Sequence, residues 1–221
     1  MYQFTYVRAK SLDEAGELLA RHPEAKLLAG GMTLLPTLKA RLAQPSHLVD
    51  IGGLAGLDRI AVSGAILSIG AGARHHVVAN SADVRKAIPA LADLARQIGD
   101  PQVRNRGTIG GSVANNDPAA DYPAALVALG AKVVTSKREI AADDYFQGMF
   151  ATALEPGEIV TRVDFPLPKR AAYAKFPHPA SGYAMTGVFI AQGAGGVRVA
   201  VTGAGPGVFR WSEAEAALAK N

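Results

Sequence analysis

The chain has no cysteine, and this absence excludes several kinds of chemistry. Without a thiol it forms no disulfide, offers no thiolate nucleophile and ligates no iron–sulfur cluster. An iron–sulfur centre that works with this protein would therefore have to lie on another chain.

Long apolar runs are also missing, because no segment approaches the length needed to cross a membrane. The first residues, Met1 to Tyr6, show no charged segment followed by an apolar stretch of the kind found in secretory signals. We therefore expect no membrane span and a cytoplasmic location.

Aromatic residues make up only 6% of the chain, and the basic residues that produce its net charge of +4 are scattered. A nucleic-acid-binding protein more often gathers such residues on one face. We expect no nucleic-acid partner, since mild basicity also suits anionic small molecules or acidic partner surfaces.

Glycine, in contrast, is abundant, with 24 residues, and two glycine-containing stretches stand out because each combines a glycine pair with nearby hydroxyl residues. In the second of these, Gly107 to Ser112, three glycines and two hydroxyl residues surround one isoleucine. Such a turn leaves the backbone bare and can aim successive N–H groups at a diphosphate. Asp121 follows at a position suited to accepting hydrogen bonds from sugar or ribityl hydroxyls, although it could also cap the next helix.

The first glycine stretch runs from Lys26 to Pro36. Its apolar start predicts a short buried strand, Gly30 and Gly31 a turn, and Thr33 the opening of a helical segment. Neither stretch is a Rossmann fingerprint or a P-loop. Two such loops could hold one diphosphate from two sides, and we expect bulkier residues at their glycines to weaken binding before folding.

No catalytic residue and no metal site are predicted from this sequence. His75 and His76 are adjacent, so both are interpreted as surface or loop residues, as is His178. No Ser-His-Asp set or pair of catalytic carboxylates can be assembled. Three further aspartates are interpreted as turn and cap residues: Asp117, Asp143 and Asp144.

The predicted elements indicate an α+β protein. A βαβαβ unit, with a capping box at Ser11, is followed by a loosened connection, then by a hairpin and a helix from about Val84 to Ile98. Two prolines in three residues, at Pro166 and Pro168, mark a boundary. Beyond it we expect a small antiparallel sheet and a helix capped by Ser212.

The two glycine stretches, in this order, resemble those of the FAD-binding medium subunits of the molybdenum hydroxylases, the family of carbon monoxide dehydrogenase and xanthine dehydrogenase. Ala29 to Thr33 is similar to the family's first pyrophosphate loop and Thr108 to Ser112 to its second. The similarity continues through three more segments: Leu42 to Ile51, Asn115 to Ala125 and Pro179 to Val188.

The resemblance implies a fold, the two-subdomain FAD-binding arrangement of the vanillyl-alcohol-oxidase (PCMH) type. It places an FAD-binding domain at residues 1–168, with subdomains of about 1–55 and 56–168, and FAD between them. Residues 169–221 would form part of a C-terminal flavoprotein domain. Because relatives continue further, this domain is expected to be truncated at Asn221.

The resemblance also implies FAD contacts within the chain. Asp121 matches a carboxylate that contacts FAD, and Lys175 a lysine near the flavin, although Lys175 could equally be a strand residue with a snorkelling amine. The residues predicted to bind the cofactor are Leu27, Leu28, Ala29, Gly30, Gly31, Met32, Thr33, Leu34, Ile98, Thr108, Ile109, Gly110, Gly111, Ser112, Asn115, Asp121, Ile159, Lys175 and Tyr183. From spacing alone, Ile98 and Ile159 are predicted only to be core residues, and Tyr183 is predicted to be a strand residue.

The partners implied by the resemblance are a large subunit carrying a molybdenum cofactor and a small subunit carrying two [2Fe-2S] clusters, in a dimer of heterotrimers. Electrons would pass from the clusters to FAD on this chain and then to a quinone, NAD or O2. Carbon monoxide, xanthine, an aldehyde or an N-heterocycle all remain possible substrates. Two alternatives stay open: a stand-alone flavin oxidoreductase of the same fold and a non-catalytic nucleotide-binding module.

Overall fold

The computed structural model describes residues 1–220 and begins with the predicted βαβαβ unit. Its three strands form a parallel sheet in the order β1-β3-β2. The Ser11 side chain accepts a hydrogen bond from the Glu14 backbone N–H at 3.1 Å, so the predicted cap of the first helix is confirmed. The elements are β1 (Thr5–Arg8), α1 (Leu12–Arg21), β2 (Lys26–Leu28), α2 (Leu34–Lys39) and β3 (His47–Asp50).

The middle part of the chain builds an antiparallel five-stranded sheet in the order β4-β5-β10-β6-β7. Helices α3–α8 lie between β5 and β6 in the sequence. The elements are β4 (Ile60–Ser63), β5 (Ile66–Gly70), α3 (His75–Asn80), α4 (Ala82–Ala87), α5 (Pro89–Arg96), α6 (Pro101–Arg106), α7 (Ile109–Asn115), α8 (Tyr122–Leu129), β6 (Lys132–Thr135), β7 (Glu139–Ala141), α9 (Ala142–Tyr145), β8 (Phe146–Gly148), β9 (Ala151–Thr152) and β10 (Val160–Pro166). Strands β8 and β9 pair with each other as a separate hairpin.

The last part forms an antiparallel four-stranded sheet in the order β11-β12-β13-β14, followed by one helix. Helix α8 is buried along its whole length and packs against β12, β13 and β10. It therefore joins the third sheet to the second in one hydrophobic core. The elements are β11 (Arg170–Pro177), β12 (Ala184–Gly193), β13 (Gly196–Thr202), β14 (Phe209–Arg210) and α10 (Ser212–Leu218).

Three local predictions are wrong. The helix expected from Val84 to Ile98 is two helices, since Ile88 leaves the helical conformation before Pro89, as residues before proline tend to do. Trp211, not Ser212, precedes the last helix. The stretch from Gly107 to Ser112 is not an open turn, because its second half is the first turn of α7.

The arrangement of sheets and helices confirms the predicted α+β class. Within residues 1–220 no helix is both long enough and apolar enough to span a bilayer.

Candidate functional site

A cleft of about 1510 Å³ is lined by residues of the first two sheets and their connections, and by the connection between β11 and β12. This exceeds the roughly 300–1,000 Å³ typical of pockets for drug-sized molecules, so the cleft suits a larger, elongated ligand. Every residue predicted to bind the cofactor lines it except Ile109 and Lys175. Tertiary folding therefore brings together residues as far apart in the sequence as Leu27 and Tyr183.

The first glycine segment provides an anion site built from backbone N–H groups. None of the N–H groups of residues 30–34 has a hydrogen-bond acceptor among the described residues, and all five residues line the cleft. Gly31 has a φ of 75°, a left-handed conformation that glycine adopts at little cost and that turns successive N–H groups toward one side. This free backbone is the chemistry that a diphosphate requires.

The second glycine segment works differently from the prediction. The backbone N–H groups of residues 109–112 all donate within the protein, at 2.9–3.1 Å, to the carbonyl oxygens of Ala73 and Ala71 and to the hydroxyl and carbonyl oxygens of Thr108. These amides are already satisfied. The segment instead offers the cleft the Ser112 hydroxyl and a surface at Gly111 without a side chain.

Several of these glycines are required by close packing rather than by a ligand. A β-carbon on Gly30 would lie 2.2 Å from the Arg106 carbonyl oxygen, and one on Gly110 would lie 2.4 Å from the Ala71 β-carbon. Contacts this short cannot be relieved without moving backbone. At both positions we therefore expect substitution to disturb folding first, in contrast to the expectation drawn from the sequence.

Gly111 is the exception. A β-carbon there meets only the Thr108 hydroxyl, at 3.0 Å, and Gly111 is exposed in the cleft. Its φ is not in the left-handed region, so a side chain would fit the backbone while occupying ligand space. Among the glycines of the two segments, Gly111 best separates binding from folding.

Asp121 lies at the wall of the cleft and is held by two residues of β11. The Tyr173 hydroxyl donates to Asp121 Oδ1 at 2.5 Å, and Lys175 Nζ lies 2.9 Å from the same oxygen. Burial raises the pKa of Asp121, while Lys175 and the Tyr173 hydrogen bond act in the opposite direction. The carboxylate does not cap α8.

Two predicted contacts need correction. The Ile109 side chain is wholly within the hydrophobic core and does not line the cleft. Lys175 does not line it either, because its amine donates to Asp121 and, at 3.0 Å, to the Gln97 carbonyl oxygen. Lys175 thus positions Asp121 rather than pointing into the cleft.

His75 was interpreted as a surface or loop residue, and this is wrong. It is 5% exposed, begins α3, lines the cleft and lies against the Tyr122 ring at a centroid distance of 5.5 Å. Burial, with the nearby Arg104 charge, lowers the pKa of His75 to about 4. His75 is therefore a neutral wall of the cleft, beside the close approach of Gly107.

The other predicted turn and loop residues behave as expected, with some detail added. Asp117 accepts a hydrogen bond from the Ala119 N–H at 2.9 Å, and the His178 ring accepts from Ala180 N–H at 3.2 Å. Asp143 and Asp144 lie in the first turn of α9.

Two rings that face the cleft lie beside the end of α7. The Phe150 N–H donates to the carbonyl oxygen of Asn116 at 3.1 Å, and Asp117 is close enough to Tyr183 to raise its pKa, after the larger effect of burial. Both rings line the cleft and both remain about half exposed. Phe150 was not identified from the sequence, where only its position in a glycine-containing turn could have drawn attention.

Comparison with known families matches residues 2–168 to the family described as FAD binding domain in molybdopterin dehydrogenase. The matched range contains both glycine segments and every predicted contact except Lys175 and Tyr183.

Similar proteins agree with this match. The chain is 39% identical over 195 residues to the glyceraldehyde dehydrogenase medium chain of Sulfolobus acidocaldarius, covering 86% of this chain and 69% of that one. It is 37% identical to the carbon monoxide dehydrogenase medium chain of Hydrogenophaga pseudoflava, covering 94% and 77%. A solved structure of carbon monoxide dehydrogenase from the same organism, lacking the Mo-pyranopterin moiety, superposes with a TM-score of 0.91 at 38% identity, covering 98% and 80%.

Proposed function

This chain belongs to the family of FAD-binding domains of the molybdopterin dehydrogenases, and we propose that it is the FAD-binding electron-transfer subunit of a molybdenum-containing hydroxylase or dehydrogenase. The resemblance read from the two glycine motifs is confirmed by the family match and by the relatives. The observation that carries the proposal is the row of free backbone N–H groups at residues 30–34 inside a cleft of dinucleotide size.

The residues that line the cleft fit FAD. The free N–H groups of residues 30–34 and the Ser112 hydroxyl would hold the diphosphate. Asp121 offers a carboxylate, and Ile98 and Ile159 offer apolar surface for a ring. When bound, FAD supplies a carrier that exchanges electrons singly or in pairs.

The residues that line the cleft would bind and orient the cofactor. His75 stays neutral at physiological pH, and the Asp121 carboxylate is held in place by bonds from Tyr173 and Lys175. This arrangement leaves neither group available as an acid or base toward a substrate, which suits electron transfer. It gives no support to the alternative of a self-contained flavin oxidoreductase.

We also propose the division of the chain predicted from its sequence. Residues 1–168 would form the FAD-binding domain, with subdomains of about 1–55 and 56–168, and residues 169–221 would belong to a C-terminal flavoprotein domain. Support comes from the strands, since each of the three larger sheets draws its strands from one of these ranges.

The partner arrangement rests on the relatives. Those named medium chain belong to a glyceraldehyde dehydrogenase and a carbon monoxide dehydrogenase. By analogy, a large molybdenum subunit and a small subunit with two [2Fe-2S] clusters would complete the enzyme, as a dimer of heterotrimers in the cytoplasm. The partner would determine the substrate, and the final acceptor would be a quinone, NAD or O2.

Flavin binding tests the proposal directly. The purified chain, alone or in the complex with which it purifies, should bind FAD with a visible flavin spectrum. Gly111→Val should lose FAD while retaining its circular dichroism spectrum. Gly195→Val is the matched control, since a β-carbon there meets nothing within 4 Å and the residue is outside the cleft. Equal FAD affinity in wild type and Gly111→Val would contradict the proposed site.

The role in a larger enzyme needs a second experiment. Affinity purification of the tagged chain from its native host should recover two further chains together with molybdenum and iron. Recovery of the flavin-loaded chain alone would favour the stand-alone oxidoreductase, and a chain that purifies without flavin and binds none would favour a nucleotide-binding module.

A further inference from the structure

The turn between β8 and β9 carries a bulky residue in a conformation normally taken by glycine. Gly148 and Ala151 pair across the hairpin, so Met149 and Phe150 are the two turn residues. Phe150 has a φ of 54°, at the position where turns with positive φ usually carry Gly or Asn. A phenylalanine here is strained, and such strain is retained mostly where the residue has a function.

The hairpin is fixed to the helix that carries the second glycine segment. Asn116, which ends α7 and is 1% exposed, donates from Nδ2 to the carbonyl oxygens of Gly148 and Ala151, both at 2.7 Å. Its own carbonyl oxygen accepts from the Phe150 N–H. These three bonds on both sides of the turn hold the Phe150 backbone in its strained conformation and fix the point from which its ring projects.

The Phe150 ring lies at the cleft but is not packed into the protein. It is 58% exposed and lines the cleft, whereas the neighbouring Met149, at 59%, does not line it. An exposed aromatic face in a ligand cleft is a surface on which a planar ring can stack.

The position of Phe150 along the cleft indicates which of the two ring systems of FAD, the adenine or the isoalloxazine, would lie against it. The anion site lies beside the start of α7, because Gly30 packs against the residues just before that helix, Arg106 and Gly107. Phe150 is attached at the other end of α7, which is seven residues long and so spans about 10 Å. That separation suits a diphosphate at one end and, across a ribityl chain, the isoalloxazine ring at the other.

We propose that Phe150 is the aromatic residue against which the isoalloxazine ring of FAD stacks, with the Asn116 side chain positioning it. This inference rests on the proposed function and adds to it the orientation of the cofactor: the flavin ring at the Phe150 and Tyr183 end, the adenine at the opposite end. Phe150 lies outside both glycine motifs.

Binding of flavin to variants at the turn tests the inference. Phe150→Gly removes the ring and also relieves the positive φ, so the hairpin should fold at least as well as in wild type. We expect its Kd for FAD and for FMN to rise roughly tenfold, as for loss of one stacked aromatic partner. Phe150→Trp should restore affinity, and Met149→Ala is the matched control on the same turn.

The readouts are flavin fluorescence quenching, the shape of the visible absorption band and competition by ADP. A Phe150→Gly protein that binds FAD as wild type does would overturn this inference and leave the proposed function standing. If instead ADP binding falls along with FAD while FMN binding does not, the adenine lies at Phe150 and the orientation is wrong. If wild type itself binds no flavin, the proposed function fails and this inference with it.

Discussion

Lys175 Nζ lies 2.9 Å from Asp121 Oδ1, and the two side chains are 1% and 5% exposed. The pair joins β11 of the third sheet to the start of α8 at the wall of the cleft. Lys175 also donates to the Gln97 carbonyl oxygen at the end of α5, so one ammonium connects three parts of the fold. Both residues were predicted to contact the cofactor, and the structure shows that they contact each other.

Removing one member of this pair should strongly destabilise the protein, because the other charge stays buried without its partner. We expect Lys175→Met to lower the free energy of unfolding by roughly 3–5 kcal/mol. The double variant Asp121→Asn/Lys175→Met should lose much less than the two single changes together. Urea unfolding of the four proteins measures this coupling.

The exposed pair Lys132–Glu139, with N···O at 3.1 Å, is the control, and Lys132→Met should cost about 1 kcal/mol or less. Equal losses for Lys132→Met and Lys175→Met would show that the buried pair has no special role.

His75 should make stability fall below neutral pH. Its pKa is lowered to about 4 from the usual 6.5, so the folded state resists protonation that the unfolded chain accepts. The free energy of unfolding is therefore highest above pH 6.5. It should fall by roughly 3 kcal/mol as the pH decreases from 6.5 to 4. Urea unfolding between pH 7 and 4.5 should give a flatter profile for His75→Gln than for wild type.

His76, one residue along and exposed, provides the comparison. His76→Gln should leave the pH profile as steep as in wild type, and a His75→Gln profile of that same steepness would contradict the buried, neutral imidazole.

Glu158 should stabilise the fold in a more acidic window. Burial alone would raise its pKa, but hydrogen bonds from Arg138, the Glu155 N–H and Thr135 outweigh burial and lower it to about 2, from 4.5. A lowered carboxyl pKa gives stability that is complete above pH 4.5 and is lost as the pH falls toward 2. We expect Glu158→Gln to cost roughly 2–3 kcal/mol at pH 7 and less than half of that at pH 3. Unfolding by urea at both pH values measures the difference, and a gap independent of pH would refute it.

The glycines should separate into two groups. Gly30→Ala and Gly110→Ala should lower the melting temperature or prevent folding, because each new β-carbon meets backbone or a buried methyl group within 2.4 Å. Gly111→Ala should change the free energy of unfolding by less than about 1 kcal/mol, since alanine suits a helix. Thermal unfolding followed by circular dichroism distinguishes them, and three equal melting temperatures would show that the packing argument is wrong.

Much of the architecture was determined by local sequence. The pattern of apolar residues and the Ser11 cap predicted the βαβαβ unit, because both are local features of the sequence. The absence of cysteine, a property of composition alone, predicted that any iron–sulfur centre lies on another chain. The break before Pro89 is also indicated by the sequence, since proline is favoured at the first position of a helix.

Only the tertiary structure decided which backbone N–H groups are free. The two glycine segments look alike in sequence, yet the N–H groups of Ile109 and Gly110 are satisfied by Ala73 and Ala71, about 36 to 39 positions earlier in the chain. Whether an N–H has an acceptor depends on such distant contacts, which composition and spacing do not encode. The same holds for the ion pair between Lys175 and Asp121, which are 54 positions apart in the sequence. It also holds for Phe150, which reaches the cleft only because the buried Asn116 holds its turn there.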